Sequence, residues 1–298
     1  MVLYFIGLGL GDENDITLKG LEAIKKCHKI YLENYTSILS VGKERLEQLY
    51  GKEVIIAYRE TVEQEMDRIL EDIAKDKEKD YAFLVVGDVF CATTHSDLYL
   101  RAVHLGIKVK TIHNASIMNA IGATGLQVYR FGETVSVPYY QGNWRPYSFL
   151  DKIKKNLQND FHTLVLLDIR VREISNENLG KGKNIYDPPH FMKIHEAVDQ
   201  ILEAEENLKT GLIKLDMKCF GVARMGFEDQ KIVSGTLKEF LTIDMGPPLH
   251  SFVICAPNLH FMEQEMYDHF LHTPATTEKK EEMGDKTELP TPQPAEKH

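Results

Sequence analysis

The chain has no apolar run long enough to cross a bilayer, and its start lacks the basic residues, extended apolar core and small-residue cleavage site of a secretory leader. The expectation is a cytoplasmic protein with no membrane partner. Cysteine is scarce. Cys27, Cys91, Cys219 and Cys255 are scattered without C-x-x-C spacing, so neither a zinc site nor a disulfide framework is indicated; no metal is expected, and the four read as buried thiols. Positive charge is also in short supply: 35 Lys and Arg against 45 Asp and Glu leave a formal net charge of −10. That balance argues against nucleic acid as a partner and is compatible with a basic protein. An ordinary apolar fraction of 43% over 298 residues allows two domains and a substantial core. From Thr273 onward, TPATTEKKEEMGDKTELPTPQPAEKH has hardly any apolar residues and reads as a disordered polar tail, 273–298.

What is present begins with VLYFIGLGLGDENDITLKGLEAIKKC. Val2 to Ile6 suit a strand buried on both faces. From Ile16 the apolar positions fall at roughly helical spacing, with Thr17 placed to cap a helix. Between them stand Gly7, Gly9 and Gly11. A glycine loop between strand and helix is a common way to hold a pyrophosphate, so a dinucleotide-dependent oxidoreductase is one reading, with Glu33 a candidate ribose ligand. The spacing G-x-G-x-G, followed by Asp12, Glu13, Asn14 and Asp15, argues against it, because carboxylates beside the loop repel a diphosphate. A tight turn with no ligand is the plainer alternative.

Strand and helix patterns alternate through the first third: HKIYLEN, EVIIAY, YAFLVVGD and KVKTIHN as strands, with helices near 17–26, 41–50, 61–74 and 96–105. Such alternation predicts an α/β fold with a mainly parallel sheet. Beyond Asn114 the texture shifts to ETVSVPYY, HTLVLLDI, CFGVARM, KIVSGTLKEF and SFVICA, with a helix in ASIMNAIGATGL and one long helix near 192–208. Two α/β domains are expected, 1–113 and 114–272.

Four loops follow apolar strands and carry small or polar residues where a parallel sheet presents its ligand side: GLGLGD, GDVFCATTHSD, HNASIMNA and LDIR. Asp88 reads either as a ligand for a hydroxyl or cation or as a turn aspartate. Thr94 to Ser96 read as the cap of the following helix.

In this order the loops resemble the tetrapyrrole methylase superfamily of S-adenosylmethionine-dependent methyltransferases (class III), and within it the diphthine synthases. The resemblance is carried by IGLGLGDENDITLKGLE, YLENYTS, LVVGDVFCATTHSDL, IHNASIMNAIG, FGETVSV, HTLVLLDI, GVARMG, DQKIVSGTL and PLHSFVI, from Leu3 to about Leu259. Val89 and Cys91 stand where the family usually has proline and glycine, so a side chain now sits where the backbone approaches the cofactor. The resemblance implies that S-adenosylmethionine lies in a cleft between the two domains, with the glycine loop shaping its floor. It implies cofactor contacts at Leu10, Asp88, Cys91, Ser116, Ile117, Leu167, Met225 and His250. For Leu167 and Met225, core packing is the alternative.

The same resemblance implies a substrate, a histidine of translation elongation factor 2 bearing an aminocarboxypropyl group, methylated to diphthine or its methyl ester on the way to diphthamide. It also implies a homodimer. Methyl transfer from a sulfonium requires alignment and electrostatics but no protein nucleophile. The proton of an incoming ammonium goes to water, or to His95 or His250 if either is within reach, and no catalytic base is assigned. Arg170 and Arg224 are candidates to pair with the substrate carboxylate, or are surface salt bridges. A non-catalytic elongation-factor-binding module is the remaining alternative.

Overall fold

Leu3, Phe5, Tyr81, Phe83 and Val85 pack into one hydrophobic cluster while Ile6, Ala82 and Leu84 pack into another. Side chains alternate across a strand, so apolar residues at both parities require cover on both faces. The computed structural model describes residues 1–37, 39, 41–172 and 185–273; the tail expected at 273–298 lies outside them except for Thr273. Strands β1 (Leu3–Gly7), β2 (Lys29–Glu33), β3 (Val54–Ala57), β4 (Tyr81–Val85) and β5 (Val109–Ile112) form a wholly parallel sheet in the order β3-β2-β4-β1-β5. One face is covered by α1 (Leu18–Lys26) and α2 (Lys43–Tyr50), the other by α3 (Met66–Lys75) and α4 (Ser96–His104). The chain therefore leaves neighbouring β1 and β4 toward opposite faces. Such a reversal opens a crevice at the carboxyl ends of the two strands.

After β5 come a single helical turn, α5 (Ile117–Ala120), and a 3-10 turn, Ile121–Thr124, in place of the continuous helix expected in ASIMNAIGATGL. The second sheet has the order β11-β10-β12-β7-β6. Its strands are β6 (Val135–Val137), β7 (Thr163–Leu167), β10 (Lys218–Ala223), β11 (Lys231–Thr236) and β12 (His250–Ile254). Pairing is antiparallel except between β6 and β7. A short hairpin, β8 (Ile169–Arg170) with β9 (His190–Phe191), follows β7. One face packs on α6 (Ser148–Gln158) and α7 (Ile194–Leu208). The other packs on residues around α5 and on α8 (Phe261–His269). The long helix expected near 192–208 is α7, and among the described residues of this half two shorter helices, α6 and α8, accompany it. In α6 the apolar residues Phe149, Leu150, Ile153 and Leu157 are all buried, at spacings that match a helix face. α8 is buried chiefly through Glu263 and Tyr267, which gives almost no periodic signal.

Loops from the two halves meet backbone to backbone. A Cβ on Gly11 would lie 2.5 Å from the carbonyl oxygen of Gly226, and one on Gly226 would lie 2.7 Å from Leu10 Cβ. Only glycine at both positions permits this approach.

Candidate active site

The glycine loop does not offer its amides to a ligand. Asp15 Oδ2 accepts from the backbone nitrogens of Leu10, at 3.1 Å, and Gly11, at 2.7 Å. Gly9, at φ +82°, turns the chain so that it bridges Gly87 at the end of β4, with Gly87 N donating to Gly9 O at 2.7 Å. Asn114 closes the third side: its Nδ2 donates to Gly7 O at 3.0 Å and Asp15 O at 2.9 Å. Three of the four loops singled out in the sequence are thereby fastened together across the crevice.

Glu33 is likewise consumed. Fully buried at the end of β2, it accepts from Tyr35 N at 2.7 Å, Thr36 N at 2.6 Å and Thr36 Oγ1 at 2.7 Å. Burial pushes its carboxyl above the usual range, although those bonds and Arg59 pull the other way. Neither the amides nor the acid that a dinucleotide reader needs is available, which removes that reading.

Above the fastened loops lies a cleft of about 850 Å³, counting the solvent open to it, with walls from both domains. Leu10, Cys91, Ser116, Ile117, Leu167, Met225 and His250 all line it. Thr36, Ser37, Ile169, Phe227 and Ser251 line it too and were not singled out as site residues. The signal for the first two was present, an apolar strand ending in an acid and followed by NYTS. The walls are mainly apolar, and among the described residues no carboxylate lines them.

Asp88 is the exception among the expected cofactor contacts, for it is not part of the lining. It is 5% exposed; Oδ1 accepts from Phe90 N at 3.0 Å, and Oδ2 accepts from Asn114 N at 3.0 Å and His113 Nδ1 at 2.8 Å. Burial acts to raise its pKa, but the bonds from Phe90, Asn114 and His113 together hold it below the usual carboxylate range. The structure places this carboxylate beneath the cleft, where it ties two of its loops together.

The two arginines are similarly engaged. Arg224 lines the cleft, but Nε donates to Asp229 Oδ2 at 2.6 Å, Nη1 to Met245 O at 3.0 Å and Pro247 O at 2.6 Å, and Nη2 to Asp229 O at 3.0 Å. Four of its five donors hold neighbouring loops. Arg170 pairs with Asp168 Oδ2 at 3.4 Å and donates to Tyr139 O at 3.3 Å. Both are engaged as ties between loops in this geometry, in keeping with the salt-bridge alternative. His95, 1% exposed, is directed at Val89 O at 3.2 Å and lies outside the lining. It begins α4 without a capping side-chain bond, so the expected cap at Thr94 to Ser96 does not form. Ser116 is a true cap, accepting from Met118 N at 3.2 Å.

His250 has the clearest chemical polarity. Its Nε2 faces the carbonyls of Gly246 at 3.1 Å and Pro247 at 3.0 Å, and so carries the proton. Nδ1 is then an acceptor, and it is buried without a partner. Burial holds the imidazole below the usual histidine range, against the pull of the two carbonyls. The cleft thus contains a neutral histidine with one unused acceptor, which fits a ligand bearing hydroxyl or amino hydrogens and an otherwise apolar body.

A family model described as Tetrapyrrole (Corrin/Porphyrin) Methylases matches residues 2–241. The diphthine methyl ester synthase of Homo sapiens is 54% identical over 273 residues, covering 90% of this chain and 95% of the relative. That of Schizosaccharomyces pombe is 55% identical over 264 residues, 89% of this chain and 92% of the relative. A crystal structure of diphthine synthase superposes with a TM-score of 0.77 at 34% identity, covering 91% of this chain and 96% of that one. The chain belongs to the tetrapyrrole methylase family and, within it, to the diphthine methyl ester synthases. It is a methyltransferase.

Proposed function

We propose that this methyltransferase uses S-adenosylmethionine to methylate the aminocarboxypropyl-histidine of translation elongation factor 2, giving diphthine and its methyl ester in diphthamide biosynthesis. The observation that carries the reading is the two-domain cleft, lined by seven of the eight expected cofactor contacts and floored by a glycine loop that has no free amides for phosphate. The relatives' name supports the ester as the product.

The cofactor supplies an electrophilic methyl group on a sulfonium. The chain's own contribution is orientation and exclusion of water. Leu10, Ile117, Leu167 and Met225 provide apolar walls, and Ser116 presents the start of α5. Nδ1 of His250 accepts a hydrogen from the ligand and, being neutral, is also able to take a proton at that atom. His95 has no such role, since it is packed against Phe83 at 5.4 Å and Tyr35 at 6.3 Å.

The reading includes a cytoplasmic homodimer that needs no metal, nucleic acid or membrane. Among the described residues, no helix is long and apolar enough to cross a membrane and no group of three or more His, Cys, Asp or Glu is placed to hold a metal. Tyr129, 82% exposed, and Phe261, 65% exposed, are large apolar side chains left open to solvent, and such surface supports self-association. The deciding experiment is incubation with S-adenosylmethionine and elongation factor 2 bearing the aminocarboxypropyl group, followed by mass spectrometry of the modified histidine. Successive methyl additions are expected. Binding of the factor without methylation would instead identify a non-catalytic binding module.

A further inference from the structure

Three arginines gather at the mouth of the cleft, on a chain whose net charge is −10. Arg59, just past β3, lies over Tyr35 at 5.6 Å, and Arg170 lies over Tyr139 at 4.9 Å. Arg172 has Tyr58 of the first domain at 4.5 Å and Tyr186 of the second at 4.1 Å. Chain neighbours of these residues, Thr36, Ser37 and Ile169, are cleft lining, so the group sits on the rim.

Arg172 differs from Arg170 and Arg224. It is exposed, and among the described residues no carboxylate or carbonyl accepts from it; two aromatic rings are its recorded contacts. A guanidinium stacked on rings is held by its faces, and its N–H donors project from the edge. A planar donor fork held in this way has already lost much of its rotamer freedom. Less order remains to be imposed when a carboxylate arrives, and the pairing is bidentate by geometry.

We propose that Arg172 is a substrate-recognition residue: clamped by Tyr58 and Tyr186 at the cleft mouth, it receives a carboxylate of the protein substrate. This rests on the methyltransferase reading above. The charge complementarity is local: among the described residues Arg172 has no carboxylate partner on a molecule of net charge −10, and it attracts an approaching carboxylate toward the cleft. The carboxylate belongs either to the modified side chain itself or to an acidic residue elsewhere on the substrate protein.

Steady-state methyl transfer to the modified elongation factor, with cofactor affinity from calorimetry, tests the inference. Arg172→Ala should raise KM for the protein on the order of ten- to a hundredfold while kcat and cofactor affinity stay within about twofold. Arg172→Lys should recover little, because an ammonium offers neither the stacking plane nor the fork. If Arg172→Ala does not fold, Arg172→Gln takes its place. A blocked short peptide carrying only the modified histidine separates the two sources: an equal loss with peptide and protein assigns the side chain's own carboxylate, and a loss confined to the protein assigns a residue elsewhere. An unchanged KM overturns the inference. So does a loss of cofactor affinity in every variant, which would make Arg172 a brace between domains. If the wild-type enzyme fails to methylate the protein, the functional reading itself falls.

Discussion

The carbonyl oxygen of Gly226 occupies space that a side chain on Gly11 would need, 2.5 Å from the position of its Cβ. The contact joins the glycine loop of the first domain to the GVARMG loop of the second, and their chain neighbours Leu10 and Met225 both line the cleft. Gly11→Ala must part the two loops, because the opposing atom is backbone. Overpacking of this kind destabilises by about 1 to 3 kcal/mol. Cofactor affinity should fall on the order of tenfold, or about 1.4 kcal/mol. Denaturant titration and calorimetry on the same preparation check both. Unchanged affinity would mean that the cleft width is set elsewhere.

Asp88 and Asn114 share a 3.0 Å hydrogen bond that fixes the start of the loop carrying Ser116 and Ile117. Asp88→Ala would leave the amides of Phe90 and Asn114 without their acceptor in a partly buried setting. Each unsatisfied donor costs about 1 to 3 kcal/mol. The variant should therefore lose stability first, with weaker cofactor binding as a consequence of loop displacement. Asp88→Asn keeps one acceptor and should fall between wild type and alanine. Chemical denaturation of both variants, followed by calorimetry, orders the effects; a fully stable alanine variant with weak binding would restore direct contact.

The first domain was legible because each of its strands is a short apolar run bounded by turn residues, and the helices between them have one apolar stripe. Thr17 was identifiable as a cap from its position alone, and its Oγ1 does accept from Gly20 N at 3.0 Å. The cleft's apolar walls were not legible in this way. Leu167 and Met225 are 8% and 7% exposed, and by composition they cannot be told from core residues; only the family resemblance pointed to them. The two readings of Arg170 and Arg224 could not be separated for a related reason. Charge is visible in a sequence, but whether a carbonyl such as Met245 O or Pro247 O has claimed a guanidinium is a tertiary fact. Arg172, which no motif marks, is distinguished by partners from distant parts of the chain.

Cys91 is the only one of the four cysteines that is not buried, and it lines the cleft. Burial pushes the Cys27 thiol up to about 12 and raises those of Cys219 and Cys255 as well, so these three are poor nucleophiles. A thiol-alkylating reagent applied to the folded protein should label Cys91 alone, and S-adenosylmethionine should protect it. Alkylation should in turn abolish cofactor binding by filling the cleft. Peptide mapping after timed labelling reads the site and the protection; equal labelling with and without cofactor would remove Cys91 from the binding surface.

His95, His162 and His250 are 1%, 0% and 7% exposed, and each has its pKa lowered, in every case chiefly by burial. Opposing hydrogen bonds to Val89 O, Glu263 and the Gly246 and Pro247 carbonyls do not overcome it. When a folded-state pKa lies below the unfolded one, the unfolded chain takes up protons first as pH falls. The stabilisation is then complete above the unfolded value, about 6.5, and is lost as pH drops through it toward the folded values. Unfolding free energy should therefore decline between about pH 7 and about pH 5, by up to roughly 1.4 kcal/mol per pH unit for each histidine that titrates only in the unfolded chain. His250→Gln should flatten part of this decline, since an amide can still donate to the Gly246 and Pro247 carbonyls but cannot titrate. The same variant should remove any pH dependence of cofactor affinity that comes from protonating Nδ1, since His250 lines the cleft. Urea denaturation and calorimetric titration across the range, on wild type and His250→Gln, separate the two effects. A flat stability profile in the wild type would show that these imidazoles are not held neutral by the fold.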